Sequence, residues 1–149
     1  MRELTKMEEN RKKKYPNTHY FVYTNPNPKG KLGADCVIRA ISIATGKDWE
    51  TVVRELTELG IKNGMVLNDK QLFPKYLEQN GFRKVNEPRN SFGRKMTVVE
   101  AIKKGIIRPE DIVCMNAGTA HLSCIVNKKV RDTWDCSDKI LHTFWIKMD

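Results

Sequence analysis

The sequence predicts an α+β fold, with helices in the first two thirds and an antiparallel sheet in the last. Between residues 35 and 104, apolar residues recur at helical spacing behind capping residues. After residue 112 the pattern changes to short runs of β-branched and apolar residues broken by turn residues. That segregation of helices from strands is the signature of α+β rather than of alternating βαβ units. The 149 residues show no repeat and no internal linker, so they read as a basic N-terminal arm over 1–15 and a single domain over 16–149.

The arm, MRELTKMEENRKKKY, is charged throughout and reads as a helical or frayed lead-in. His19 to Thr24 is aromatic and β-branched, a short strand. Two prolines and two glycines between Asn25 and Gly33 exclude regular structure, so an ordered loop follows. Asp35 is placed to cap a largely buried helix that begins at Cys36 and stops at Gly46, with apolar residues at 37, 38, 40, 41 and 44. A second helix is expected from Asp48 to Leu59, with Trp49 turned to the core and Gly60 as the stop. A third is expected from Lys70 to Gln79, interrupted near its start by Pro74. Asn86 to Lys95 has no period and is expected as a mobile loop beside a cleft. Thr97-Val98-Val99-Glu100 is a capping box opening a short helix to Lys104. Strands are expected at 112–115, 120–126, 129–134 and 141–146, with Asn127-Lys128 as a hairpin turn.

Composition narrows the function classes. No apolar window approaches the ~20 residues of a membrane span, so no membrane partner is expected. The charged N-terminus is not a secretory signal, which points to the cytoplasm. The net charge of +9, with Arg11 to Lys14 in one run, admits a nucleic-acid partner. Acidic residues interrupt the rest of the chain, however, and no zinc-finger, RNA-binding or glycine-rich phosphate motif occurs. The four cysteines, at 36, 114, 124 and 136, form no C-x-x-C pair. In a reducing compartment they imply neither disulfides nor a metal site, and no cofactor motif is present.

One cysteine has a chemically distinct setting. Cys36 falls in the first turn of its helix, where unpaired N–H groups and the helix dipole favour a thiolate. Cys114 and Cys124 fall in apolar strands. His121 opens a strand, and a two-residue turn at 127–128 would set Ser123 opposite Asp132 and His121 opposite Trp134. A three-residue turn would instead bring Asp135 to His121. Cys36 as nucleophile, His121 as base and Asp132 as the group orienting it, with Asp135 as the alternative third member, fill the roles that thiol catalysis needs. His19 and His142 are rival bases. Arg39, one turn beyond Cys36, is placed to reach a substrate carboxylate or an internal one.

The order Cys, then His, then a polar residue before an aromatic resembles the papain-like cysteine peptidases. Asp35-Cys36 at a helix start is similar to the Asp-Cys of the peptidase domains on bacteriocin exporters. Asp132-Thr133-Trp134 is similar to papain's Asn-Ser-Trp. In detail the chain looks like small papain-like proteins of Firmicutes and their phages, through Asn27 to Gly30, Cys36 to Ala40 and Asp132 to Asp135. The resemblance implies a papain-like fold and a cysteine hydrolase acting on an amide, isopeptide or thioester of a peptide or protein. It implies that Trp134 shields the His121–Asp132 bond, and it admits a phage origin. Such enzymes carry a loop Gln whose amide helps to hold the oxyanion. The corresponding position here is Gly30, which leaves Asn25 or Asn27 to supply an amide. The alternative is a papain-like fold used without turnover, as a host-factor or nucleic-acid binding module.

Overall fold

The computed structural model describes residues 2–149. In chain order the elements are α1 (Lys6–Lys14), β1 (Phe21–Tyr23), α2 (Cys36–Thr45), α3 (Trp49–Asn63), α4 (Leu72–Gln79), β2 (Phe82–Val85), α5 (Val98–Lys103), β3 (Ile112–Ala117), β4 (His121–Val126), β5 (Lys129–Asp132) and β6 (Leu141–Lys147). The six strands form one sheet in the order β1-β5-β4-β3-β6-β2. The class is α+β, but the sheet is mixed rather than antiparallel. The short β1 lies parallel to β5, with Phe21 opposite Val130. The other edge is β2, antiparallel to β6. Its sequence, FRKV, carries two exposed cations and no alternation to betray a strand.

Each face of the sheet has its own core. On one face, α2 lays Ile38, Ile41 and Ala44 against Cys114, Leu122 and Cys124, and α3 and α4 close over it with Val52, Leu56, Leu72 and Leu77. On the other, α5 adds Val98, Ala101 and Ile102 to Phe21, Val113, Met115, Ile125 and Phe144. Ile41 is fully buried at the centre of the first core, where truncation to Ala would cost about 2–5 kcal/mol. The helix bearing Cys36 is therefore a rigid central element.

Three sequence expectations are corrected locally. Gly60 does not stop α3, which runs on to Asn63 and ends at Gly64 with φ +70°. Gly60 serves packing instead, because a Cβ there would lie 2.4 Å from the carbonyl oxygen of Met65. Asp35 occupies the cap position of α2 but caps nothing with its side chain. Its carboxylate pairs with Arg39 and accepts from Trp49 Nε1 (2.9 Å) and Asn27 Nδ2 (3.1 Å). The segment before α5 is tied down rather than loose. Asn90 Oδ1 accepts from the N–H groups of Phe92 (2.9 Å) and Arg94 (3.0 Å), and Arg89 bridges to Lys95.

The basic lead-in is anchored. α1 begins with a complete capping box from Thr5 and Glu8. Glu8 is fully buried and also accepts from Arg2, from the Tyr23 hydroxyl (2.6 Å) and from Asn25 Nδ2 (3.0 Å). Among the described residues, no helix is long and apolar enough to cross a membrane.

Two irregularities position the site. The β4–β5 turn is two residues, Asn127 and Lys128, both at positive φ, and it pairs Ile125 with Val130 and Val126 with Lys129. Beyond those two pairs Asp132 is joined to β4 through its side chain, with the Ser123 hydroxyl 2.5 Å from its Oδ2. On the other side of β3, the pairing with β6 shifts between Met115–Phe144 and Ala117–Leu141. One extra residue on β6 therefore faces Asn116, a bulge that brings His142 and Thr143 together onto the same wall as Asn116.

Candidate active site

Cys36 is the first residue of α2, half-buried at the end of a cleft of about 660 Å³. With Asp35 drawn away to Arg39, Trp49 and Asn27, no side chain caps the first amides of this helix. They remain free to act on the thiol and on whatever binds it. His121 lines the same cleft from the start of β4. Its Nε2 lies 2.7 Å from Asp132 Oδ2, which leaves Nδ1 free for Cys36, the other group that raises its pKa.

Asp132 is the most enclosed member, with 3% of its surface exposed. Four donors converge on it. Oδ2 takes His121 and the Ser123 hydroxyl (2.5 Å), and Oδ1 takes the Thr133 N–H (2.6 Å) and Arg39 Nη2 (3.4 Å). Burial alone would raise its pKa, but His121, Ser123 and Arg39 outweigh it and hold the carboxyl below its ordinary value.

The charge states follow. Burial resists ionisation of Cys36, yet His121, the Leu122 N–H and the nearby Arg39 bring its thiol below the ordinary value. Burial likewise resists protonation of His121, yet Asp132 and Cys36 raise it to about 9. The two shifts run in opposite directions, and both favour thiolate and imidazolium over the neutral pair. Cys114, Cys124 and Cys136 are fully buried, and burial pushes all three thiols up. Cys36 is the one activated thiol.

Trp134 lies over His121, ring centroids 4.7 Å apart, with Tyr15 beyond it at 6.4 Å. Asp135 is not brought to His121; its Oδ1 accepts from the Ser137 N–H at 2.9 Å. His19 stacks edge-on against Tyr20, 4.8 Å between centroids. His142 lines the cleft but is engaged by Glu87, Nδ1 to Oε1 at 2.5 Å.

The loop residues are not where the missing Gln would put them. None of Asn25, Asn27 and Gly30 lines the cleft. Asn25 is bound to Glu8 and the Lys31 carbonyl, and Asn27 to Asp35 and the N–H groups of Lys29 and Lys31. Gly30 sits at φ +66°, where a Cβ would lie 2.5 Å from atoms of Arg2 and Glu8. These residues shape the loop and seat α1. The amides that do line the cleft are Asn68 and Asn116. Sequence reading missed Asn116 and Thr143, and took His142 only as a rival base. The available signal was the broken alternation of β6, where two polar residues (His142, Thr143) are followed by two buried aromatics (Phe144, Trp145).

His121, Asp132 and Cys136 also bring potential metal-ligating atoms within 4.8 Å of one another. His121 Nε2 and Asp132 Oδ2 already satisfy each other, and Cys136 is held as a neutral thiol. Comparison with protein-family models, with curated proteins and with solved structures gave no match to this chain. The chemistry of the site is therefore read from its own geometry.

Proposed function

We propose that the chain is a papain-like cysteine hydrolase that cleaves an amide, isopeptide or thioester bond through Cys36, His121 and Asp132. The observation that carries this reading is the 2.7 Å hydrogen bond from His121 to the buried Asp132, with Cys36, at the start of α2, lining the same cleft as His121. The Cys36 thiolate adds to the substrate carbonyl carbon, and the oxygen becomes an oxyanion beside the uncapped start of α2. Collapse expels the amine or thiol, which takes the proton from His121 and leaves an acyl-thioester on Cys36. Neutral His121 then accepts a proton from water as the hydroxide adds to that thioester. Collapse releases the acid and returns Cys36 as thiolate with His121 protonated. An amine in place of water makes the same cycle an acyl transfer. Asp132, locked by Ser123, Thr133 and Arg39, keeps His121 in one tautomer and stabilises its charge.

The test is labelling of the native protein with iodoacetamide, with the modified cysteine identified by mass spectrometry, beside acylation by p-nitrophenyl acetate. Rapid alkylation and a transient acyl group on Cys36, both lost in His121→Ala, support the reading. Equal, slow labelling of all four cysteines overturns it.

A further inference from the structure

The far wall of the cleft has a chemistry that the triad does not use. β2 brings Lys84 to it, the segment before α4 brings Lys70, and the β6 bulge brings His142 and Thr143. Among the described residues, no Asp or Glu lines this cleft. Neither lysine takes part in an ion pair among the described residues. Glu87 lies outside the lining. It is occupied by His142 Nδ1 at 2.5 Å, by Arg89 at 3.1 Å and more loosely by Lys95 at 3.9 Å. That contact leaves Nε2 as the free polar atom of His142. Phe73 and Trp145, both buried, supply apolar lining. A concave site with cations of one sign, apolar walls and no acid concentrates an anion and repels a cation.

We infer that this wall is an anion-recognition subsite, so that the acyl donor carries a carboxylate or phosphate group beyond the bond attacked by Cys36. The inference rests on the acyl-transfer reading for its place in the reaction, but the subsite itself needs no thiol. Lys84 and Lys70 supply the charge. His142, oriented by Glu87, and the Thr143 hydroxyl supply directional hydrogen bonds. The bulge is the structural device, because a regular β6 would turn His142 and Thr143 to opposite faces.

The experiment uses the Cys36→Ala protein and fluorescein-labelled Gly-Gly-X-Gly-Gly peptides, with X as Gln, Glu or phosphoserine and the C-terminus either amidated or free. Binding is read by fluorescence anisotropy at low and physiological salt. The expected result is that a peptide with Glu, phosphoserine or a free C-terminus binds about five- to tenfold more tightly than the amidated Gln peptide. The three arms separate the sources of the anion. The preference shrinks as salt rises. It falls to within about twofold when Lys70→Gln and Lys84→Gln are added, while Lys62→Gln on α3 leaves it unchanged. Equal binding of the neutral and anionic peptides, or a preference that survives the double lysine variant, overturns the subsite. Chloroacetylated versions of the same peptides, given to the unaltered protein, report on the thiol, whose sulfur displaces chloride to form a thioether. An acidic preference in binding without privileged labelling of Cys36 would remove the hydrolase and leave the anion subsite standing.

Discussion

His121 Nε2 and Asp132 Oδ2 lie 2.7 Å apart, and Asp132 is immobilised by three further donors. The histidine therefore has its tautomer set by a carboxylate that cannot turn away. In Asp132→Asn the side chain loses its charge and presents an N–H to at least one of those donors. His121 then loses its main source of raised basicity. The expected outcome is a fall in turnover of roughly 10²–10⁴-fold. Folding should weaken by about 1–3 kcal/mol, because Arg39 and Ser123 keep buried donors with a poorer acceptor. p-Nitrophenyl acetate hydrolysis and urea unfolding measure the two effects separately.

The paired charges predict two pH profiles that part company. Alkylation of Cys36 follows the thiolate, so its rate rises with a midpoint below the ordinary thiol value and does not fall again at high pH. Acylation by an amide needs the imidazolium as acid for the leaving amine, so that step declines as pH passes through about 9. In His121→Ala, burial is no longer offset by the imidazolium, and the alkylation midpoint moves up. Profiles of labelling and of acylation by an amide on one preparation check this. Two curves that rise and fall together would contradict it.

The amides of the site differ in what they support. Asn116 lines the cleft across from Leu122, whose N–H faces the Cys36 sulfur. Asn116→Ala should lower turnover by roughly 10²–10³-fold if its amide meets the oxyanion, with little loss of stability. Asn27→Ala should do the reverse. It removes a buried side chain that binds Asp35 and two loop N–H groups, at about 1–3 kcal/mol. Asn68→Ala is the comparison within the cleft. Hydrolysis rates beside unfolding midpoints for the three variants sort these roles.

These assignments mark where the sequence was legible. The Cys36 helix followed from apolar spacing, and the choice between Asp132 and Asp135 hung on the turn length, which the structure sets at two residues, Asn127 and Lys128, both at positive φ. Local rules sufficed where the determinant was local. They misassigned Asp35, whose carboxylate prefers Arg39 and Trp49 to its own helix. The resemblance set Asn25, Asn27 and Gly30 beside the nucleophile, because nothing in the loop announces that Glu8, far back in α1, will claim it. The bulge in β6 and the parallel seat of β1 depend on distant strands, which no spacing within either segment encodes.

The tie between α1 and the nucleophile loop predicts an acid-sensitive contribution to stability. Burial would raise the pKa of Glu8, but bonds from Arg2, Tyr23, the Thr5 N–H and Asn25 bring it down to about 2. A folded-state value below the unfolded one gives stability that is present above about pH 4.3 and is lost as pH falls towards the folded value. With the side chain fully buried, Glu8→Gln should cost about 2–3 kcal/mol at neutral pH, and that deficit should shrink as the pH is lowered. Gly30→Ala disturbs the same contact by sterics, since its Cβ would meet Arg2 and Glu8 at 2.5 Å from a residue at φ +66°. Its cost should exceed about 1 kcal/mol and change far less with pH. Urea midpoints of the three proteins from neutral pH down to about pH 3 separate the charge from the fit. A Glu8→Gln deficit as large in acid as at neutrality would mean that α1 is held by packing, and that the buried carboxylate contributes nothing to holding the loop.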